Sequence, residues 1–176
     1  MSDSLSIRDA TPADLAAMLA IYNHAVVHTT ASYDYTPRSA ERQQAWFAAK
    51  QEARLPVLVA ASGEAIAGFA SYGPFRAWDG YRFTVEHSVY VDEAFRRRGI
   101  ASALVGALLK RAQAAGMHLM VAGIDAANSG SIALHRRLGF EDAGVLREAG
   151  YKFERWLDLA FMTRRIDGDR SAPARG

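Results

Sequence analysis

Between Thr84 and Leu109 the apolar pattern switches from a period of two to a helical period across a short basic turn, so a strand must run almost directly into a helix. In the first half, Val85, His87, Val89 and Val91 fall on one side of a sheet and Thr84, Glu86, Ser88 and Tyr90 on the other. An ionisable Glu86 therefore sits in mid-strand. After Arg96, Arg97, Arg98 and Gly99, the residues Ile100, Ala101, Leu104, Val105, Leu108 and Leu109 recur at helical spacing. Three arginines at a helix N-terminus oppose the macrodipole, which favours acidic residues there, so the arrangement costs stability unless an anion binds. Free N–H groups of the first turn, a glycine permitting close approach and flanking guanidinium groups together describe a pyrophosphate cradle. An exposed basic helix start is the other reading of the same residues.

The rest of the chain sets that unit in a mixed sheet. Leu5 to Arg8 reads as a strand. Thr11 can cap a helix with Pro12 at its first position and Asp14 in its first turn, and Leu15, Met18, Leu19, Tyr22 and Val26 give it one apolar face. His28 to Arg38 breaks the period with Tyr33, Tyr35 and Pro37 and reads as an active-site loop or a solvated connection. A helix over Ala40 to Glu52 should turn Trp46 and Phe47 inward. Pro56 to Ala61 and Ala65 to Tyr72, joined by Ser62-Gly63-Glu64, form a hairpin, and a loop rich in aromatics runs from Gly73 to Tyr81. Gly116 ends the central helix, Leu119 to Ile124 is a strand, Asn128 starts another helix that closes at Gly139, and Trp156 to Met162 alternates as a strand. Hairpins combined with βαβ crossovers predict an α/β (α+β) fold, a mixed sheet with helices on both faces.

With 176 residues the chain suits a single domain, placed at 1–166, and the polar tail Asp167 to Gly176 is expected to fray. A net charge of +2 argues against general nucleic-acid binding, since the basic residues are clustered rather than spread over a face. The absence of cysteine excludes disulfides, a thiolate nucleophile and a cysteine metal site, so a reacting sulfur must come with a ligand. No histidine and carboxylate spacing calls for a metal. No basic segment followed by an apolar stretch opens the sequence, and no run of about 18 apolar residues occurs, so a cytoplasmic location without membrane contact is expected.

The segment Arg96-x-x-Gly99-x-Ala101 resembles the acyl-CoA pyrophosphate signature of the GNAT N-acetyltransferase superfamily, and Asn128 through Leu138-Gly139-Phe140 resembles its last helix. Thr84 to Val91, Leu134 to Phe140 and Arg155-Trp156-Leu157-Asp158 are similar to the phosphinothricin and methionine sulfoximine N-acetyltransferases within it. Two departures from the wider superfamily stand out: His135 replaces a common tyrosine, as it does in that subfamily, and Ala101 replaces a common glycine.

The resemblance implies a GNAT-like, mostly antiparallel central sheet and acetyl-CoA as co-substrate with no metal. It places the pantetheine chain on the backbone of Val89, Tyr90 and Val91, the pyrophosphate at Arg97, Arg98, Gly99, Ile100, Ala101 and Ser102, and a further cofactor contact at Asn128, which can equally be a helix cap. Substrate positions by the same resemblance are Arg76, Ala77, Trp78, Glu86, His87 and Ser88, and the partners implied are a small-molecule amine and a second copy of the chain as a homodimer. Transfer to an amine needs a base, for which Glu86 is the leading candidate, with general-base help worth about 10² to 10⁴ in rate. His135, two helical turns beyond Asn128, can assist proton transfer or be purely structural. Arg76 can pair with an amino acid's carboxylate, and Tyr33, Tyr35, Trp78 and Tyr81 can wall the pocket. Acetylation of protein N-termini or polyamines, and a non-catalytic acyl-CoA-binding module, are the competing readings.

Overall fold

The computed structural model describes residues 5–167, and the predicted fraying of the tail lies almost wholly outside them. The strands are β1 (Leu5–Asp9), β2 (Val57–Ser62), β3 (Ala65–Pro74), β4 (Thr84–Val91), β5 (Leu119–Asp125), β6 (Glu141–Lys152) and β7 (Arg155–Arg165). The helices are α1 (Leu15–His28), α2 (Ala40–Glu52), α3 (Ile100–Ala114) and α4 (Ser129–Arg137). The seven strands form one sheet in the order β1-β2-β3-β4-β5-β7-β6, antiparallel throughout except where β4 meets β5. The expected fold class therefore holds, and the β4 and α2 boundaries match the sequence reading.

Alternation along the strands sends apolar side chains to both faces, and each face gains a core. Met18, Ile21, Tyr22 and Val26 of α1 and Phe47 of α2 cover Val57, Val59 and Phe69 on one side. On the other side, Ile100, Leu104, Val105 and Leu108 of α3 cover Leu58, Ala60, Ala70, Met120 and Met162, with Ile132 of α4 alongside. Full burial of such side chains is worth about 1.5–3 kcal/mol each. The α1 face is broader than its sequence pattern predicts, because Ile21 and Ala25 are buried while Leu15 and Leu19 are only partly so.

Asp14 fixes the entry to α1. Its carboxylate accepts hydrogen bonds from both terminal nitrogens of Arg8, at 2.7 and 2.8 Å, and from the Thr11 backbone N–H at 2.7 Å. These bonds hold its carboxyl near pKa 2, the Arg8 contact being the largest cause. Pro12–Asp14 form a 3₁₀ turn before α1 proper, so the cap belongs to that turn.

One irregularity positions everything that follows. β4 and β5 pair in parallel only over Thr84–Leu119, Val85–Met120 and Glu86–Val121. β4 continues against β3 as far as Val91, and β5 continues against β7 as far as Asp125. Beyond Glu86 the two strands part, leaving one edge of β4 without a ladder partner among the described residues.

Candidate active site

Two cavities meet where the strands separate. The first, about 300 Å³, lies between Glu86, Ser88 and Tyr90 of β4, Gly123 and Asp125 of β5, and the loop Thr30–Tyr33. The second, about 530 Å³, runs past Val89–Val91 to Arg96, Arg97 and Ala101 at the start of α3. Val89, Tyr90, Thr30, Ala31, Asn128, Ser131 and His135 border both. A compact chamber thus opens into a longer basic groove.

The groove has the local geometry of an anion site. Arg97 takes φ 62° and Gly99 takes φ 77° as the residue capping the 15-residue helix α3, so the turn curls with its backbone N–H groups uncapped by any side chain. An ideal Cβ on Gly99 would meet nothing within 4 Å, which makes the left-handed φ the reason for glycine there. Arg97 and Ala101 line the groove as expected, and Arg96, the first arginine of the motif, joins them. Arg98 instead lies over the Phe95 ring, 5.3 Å from its centroid. The Ile100 side chain is in the core, so only its backbone can face a ligand. Asn128 caps α4, its side-chain oxygen accepting the Ser131 N–H at 3.0 Å, and it also borders both cavities, so its two predicted roles coexist. These features fit the diphosphate and pantetheine portions of an acyl-CoA.

In the chamber, Glu86 is half-buried, and burial raises its carboxyl above the usual range, an effect Arg76 partly offsets. Gly123 makes room for it, since a Cβ at Gly123 would lie 3.1 Å from Glu86 Oε1. His87 alternates to the opposite face of β4 and is buried, yet it too borders the chamber. Its ring stacks on His135, with centroids 5.1 Å apart and planes inclined by 20°, and meets the edge of Phe140. Burial lowers the His87 pKa to about 3, with the neighbouring His135 adding to the effect. His135 is also lowered by burial. Both of its ring nitrogens are engaged, Nδ1 with the Ser131 carbonyl at 2.7 Å and Nε2 with His87 Nε2 at 3.1 Å.

The loop between α1 and α2 is tied to the chamber on several sides. Thr30 donates to Asp125 Oδ2 at 2.5 Å, and Tyr22 donates to Asp34 at 2.5 Å beside Ser32. Of the four predicted aromatic wall residues, only Tyr33 lines the chamber. Tyr35 is exposed and donates to the Tyr151 carbonyl, while Trp78 and Tyr81 pack on one another away from it. Arg76, Ala77 and Trp78 are exposed and line neither cavity; Arg76 lies over Phe75, 4.1 Å from the ring centroid. Asp125, Gly123 and Ser131 are site residues that the sequence reading missed, and only the strand end at Asp125 carried any signal.

The signature of the Acetyltransferase (GNAT) family matches residues 18–140, from within α1 through α4, and takes in the whole groove. This chain belongs to that family. It is 52% identical over 172 residues to an L-methionine sulfoximine/L-methionine sulfone acetyltransferase of Pseudomonas paraeruginosa, covering 97% of this chain and 99% of that protein. It is 38% identical over 173 residues to a phosphinothricin N-acetyltransferase of Streptomyces viridochromogenes, covering 97% and 92%. A solved structure of a GNAT superfamily phosphinothricin acetyltransferase from Sinorhizobium meliloti in complex with acetyl-CoA superposes with a TM-score of 0.94 at 38% identity, covering 98% of this chain and 94% of that one. The protein is a GNAT N-acetyltransferase, and acetyl-CoA is its acyl donor. Among the described residues, no helix of this GNAT enzyme is long and apolar enough to cross a membrane.

Proposed function

We propose that this enzyme transfers the acetyl group of acetyl-CoA directly, within a ternary complex, to the amino group of a small amino-acid-like substrate such as methionine sulfoximine, methionine sulfone or phosphinothricin. The observation that carries the reading is the position of Glu86, a half-buried carboxylate in a chamber that shares its border with the basic groove. In this reading the groove holds acetyl-CoA, with Arg97, Gly99 and the first turn of α3 on the diphosphate and the bare edge of Val89–Val91 along the pantetheine. Glu86 takes the proton from the bound ammonium, and a carboxyl raised by burial is the better base for it. Backbone N–H groups of β4 offer hydrogen bonds to the developing oxyanion. His135 can handle a proton only after one of its two bonds breaks, so Glu86 carries the abstraction. Arg76 lies outside the chamber, but its charge reaches Glu86, and this supports the role toward the substrate carboxylate that the family resemblance implies.

The names of the relatives support this amine class, and a chamber of about 300 Å³ suits a free amino acid. The enzyme is further proposed to act in the cytoplasm as a homodimer. Supporting the second copy, β6 is the outer strand of the sheet, and Val145, Leu146, Tyr151, Phe153 and Trp156 of β6, β7 and their turn are exposed. Thiol release from acetyl-CoA, measured against the three named amines, free amino acids, a peptide N-terminus and polyamines, tests the assignment. Turnover confined to peptides or polyamines overturns it, and sedimentation of a monomer removes the dimer.

A further inference from the structure

The chamber wall formed by Thr30–Tyr33 is a loop without a ladder of its own, and besides the Thr30–Asp125 and Tyr22–Ser32 contacts it is held by the far end of β6. Lys152, only 4% exposed, donates from Nζ to the Thr29 carbonyl at 2.8 Å and to the Ser32 carbonyl at 2.5 Å. Two residues earlier on the same strand, the buried Gly150 faces Tyr33. A Cβ there would lie 2.4 Å from Tyr33 Cε2, 2.7 Å from Cδ2 and 3.1 Å from Cζ. These are atoms of one rigid ring, so no rotation of a flexible tip relieves the contact. Gly150 is not among the residues with positive φ, so its backbone does not demand glycine. The ring demands it.

Tyr33 lines the chamber and not the groove. A displacement confined to its ring therefore alters the space for the amine, while Thr30 and Ala31 of the same loop go on bordering both cavities. Any side chain at position 150 drives the ring off β6. Lys152 supplies the complementary restraint, drawing the loop backbone toward the strand and keeping the ring seated.

We propose that Gly150 is a specificity-determining position for the acceptor amine, acting with Lys152 as a positioning residue through Tyr33. The proposal rests on the reading of the chamber as the amine pocket. By leaving Tyr33 withdrawn, the pair keeps open the room that a substrate side chain needs.

Steady-state kinetics of the full chain with methionine sulfone, alongside acetyl-CoA binding by calorimetry, provides the test. Gly150→Ala should raise the amine KM by about tenfold with acetyl-CoA affinity unchanged, because overpacking at Tyr33 is felt only in the chamber. In a Tyr33→Ala background the same substitution should have no effect on KM, since the ring it displaces is gone. An equal penalty in both backgrounds overturns the proposal. Lys152→Met, which frees the loop without adding an atom beside the ring, should also raise the amine KM, and a parental value there overturns the proposal independently of how Gly150→Ala folds. Parental amine KM values in Gly150→Ala, Lys152→Met and Tyr33→Ala alike identify the other failure, that the chamber does not hold the amine.

Discussion

His87 Nε2 and His135 Nε2 lie 3.1 Å apart inside the protein, and the neighbours of the pair dictate which nitrogen carries each hydrogen. His135 Nδ1 faces the Ser131 carbonyl and must donate, so in the neutral ring its Nε2 accepts. His87 Nε2 is then the donor, and His87 Nδ1 is left as a buried acceptor without a side-chain or backbone partner. A further proton on either ring forces His87 Nδ1 to become an unpaired buried donor, a state that costs about 1–3 kcal/mol or more.

That arrangement makes the fold acid-sensitive. The folded pKa of His87 is about 3, against 6.5 for a free histidine, so the unfolded chain binds its proton first as pH falls. Stability should therefore decline as pH falls from about 6.5 toward about 3, because the unfolded chain takes up a proton that the buried ring does not. Urea unfolding across that window should show a shallower pH dependence for His87→Phe than for the parent. Equal slopes would remove the pair as the cause.

Glu86 must be ionised to act as a base. Its raised pKa moves the acid limb of kcat/KM above the usual carboxylate range, activity being lost as pH falls through it. Glu86→Gln should lower kcat by about 10² to 10⁴ and abolish that limb while acetyl-CoA still binds. Unchanged turnover would reassign the base.

Gly123 sets how close the Glu86 carboxylate can lie to β5. A methyl group placed 3.1 Å from Glu86 Oε1 makes the carboxylate give by a few tenths of an ångström, a displacement at the reacting group itself. Gly123→Ala should reduce kcat with little change in melting temperature. A variant with parental kcat would show that Glu86 has freedom to spare.

Asp14 contributes stability that is fully present above pH 3.8 and is lost as pH falls through about 2. The shift corresponds to about 2 kcal/mol, reduced to about 1–2 because Arg8 is 44% exposed and screened. Asp14→Asn should lower stability by that amount at neutral pH, measured by chemical denaturation, and leave the amine KM unchanged.

What could be read from the sequence followed locality. β4 and the start of α3 were legible because their periods and the Arg96-x-x-Gly99-x-Ala101 motif lie within one short stretch, and Glu86 stood out as an ionisable residue on an apolar strand. β6 escaped because an outer strand exposed on nearly every residue shows no alternation, and it carries two register shifts. Gly123, Asp125 and the His87–His135 contact depend on which strand neighbours which, so no pattern along the chain reveals them. For Arg76–Trp78, the resemblance offers a substrate role, while the structure places the three outside both cavities.

The short parallel ladder from Thr84 to Glu86 also fixes where the base stands. The sections β1–β4 and β5–β7 are each stitched along their length, and three parallel residue pairs join them, with the core under α3 continuous across both. Glu86 occupies the last of those rungs, paired with Gly73 on one side and Val121 on the other. The carboxylate therefore stands at the vertex of the wedge, anchored by backbone on both flanks, while the next residues of β4 keep an open edge toward a ligand.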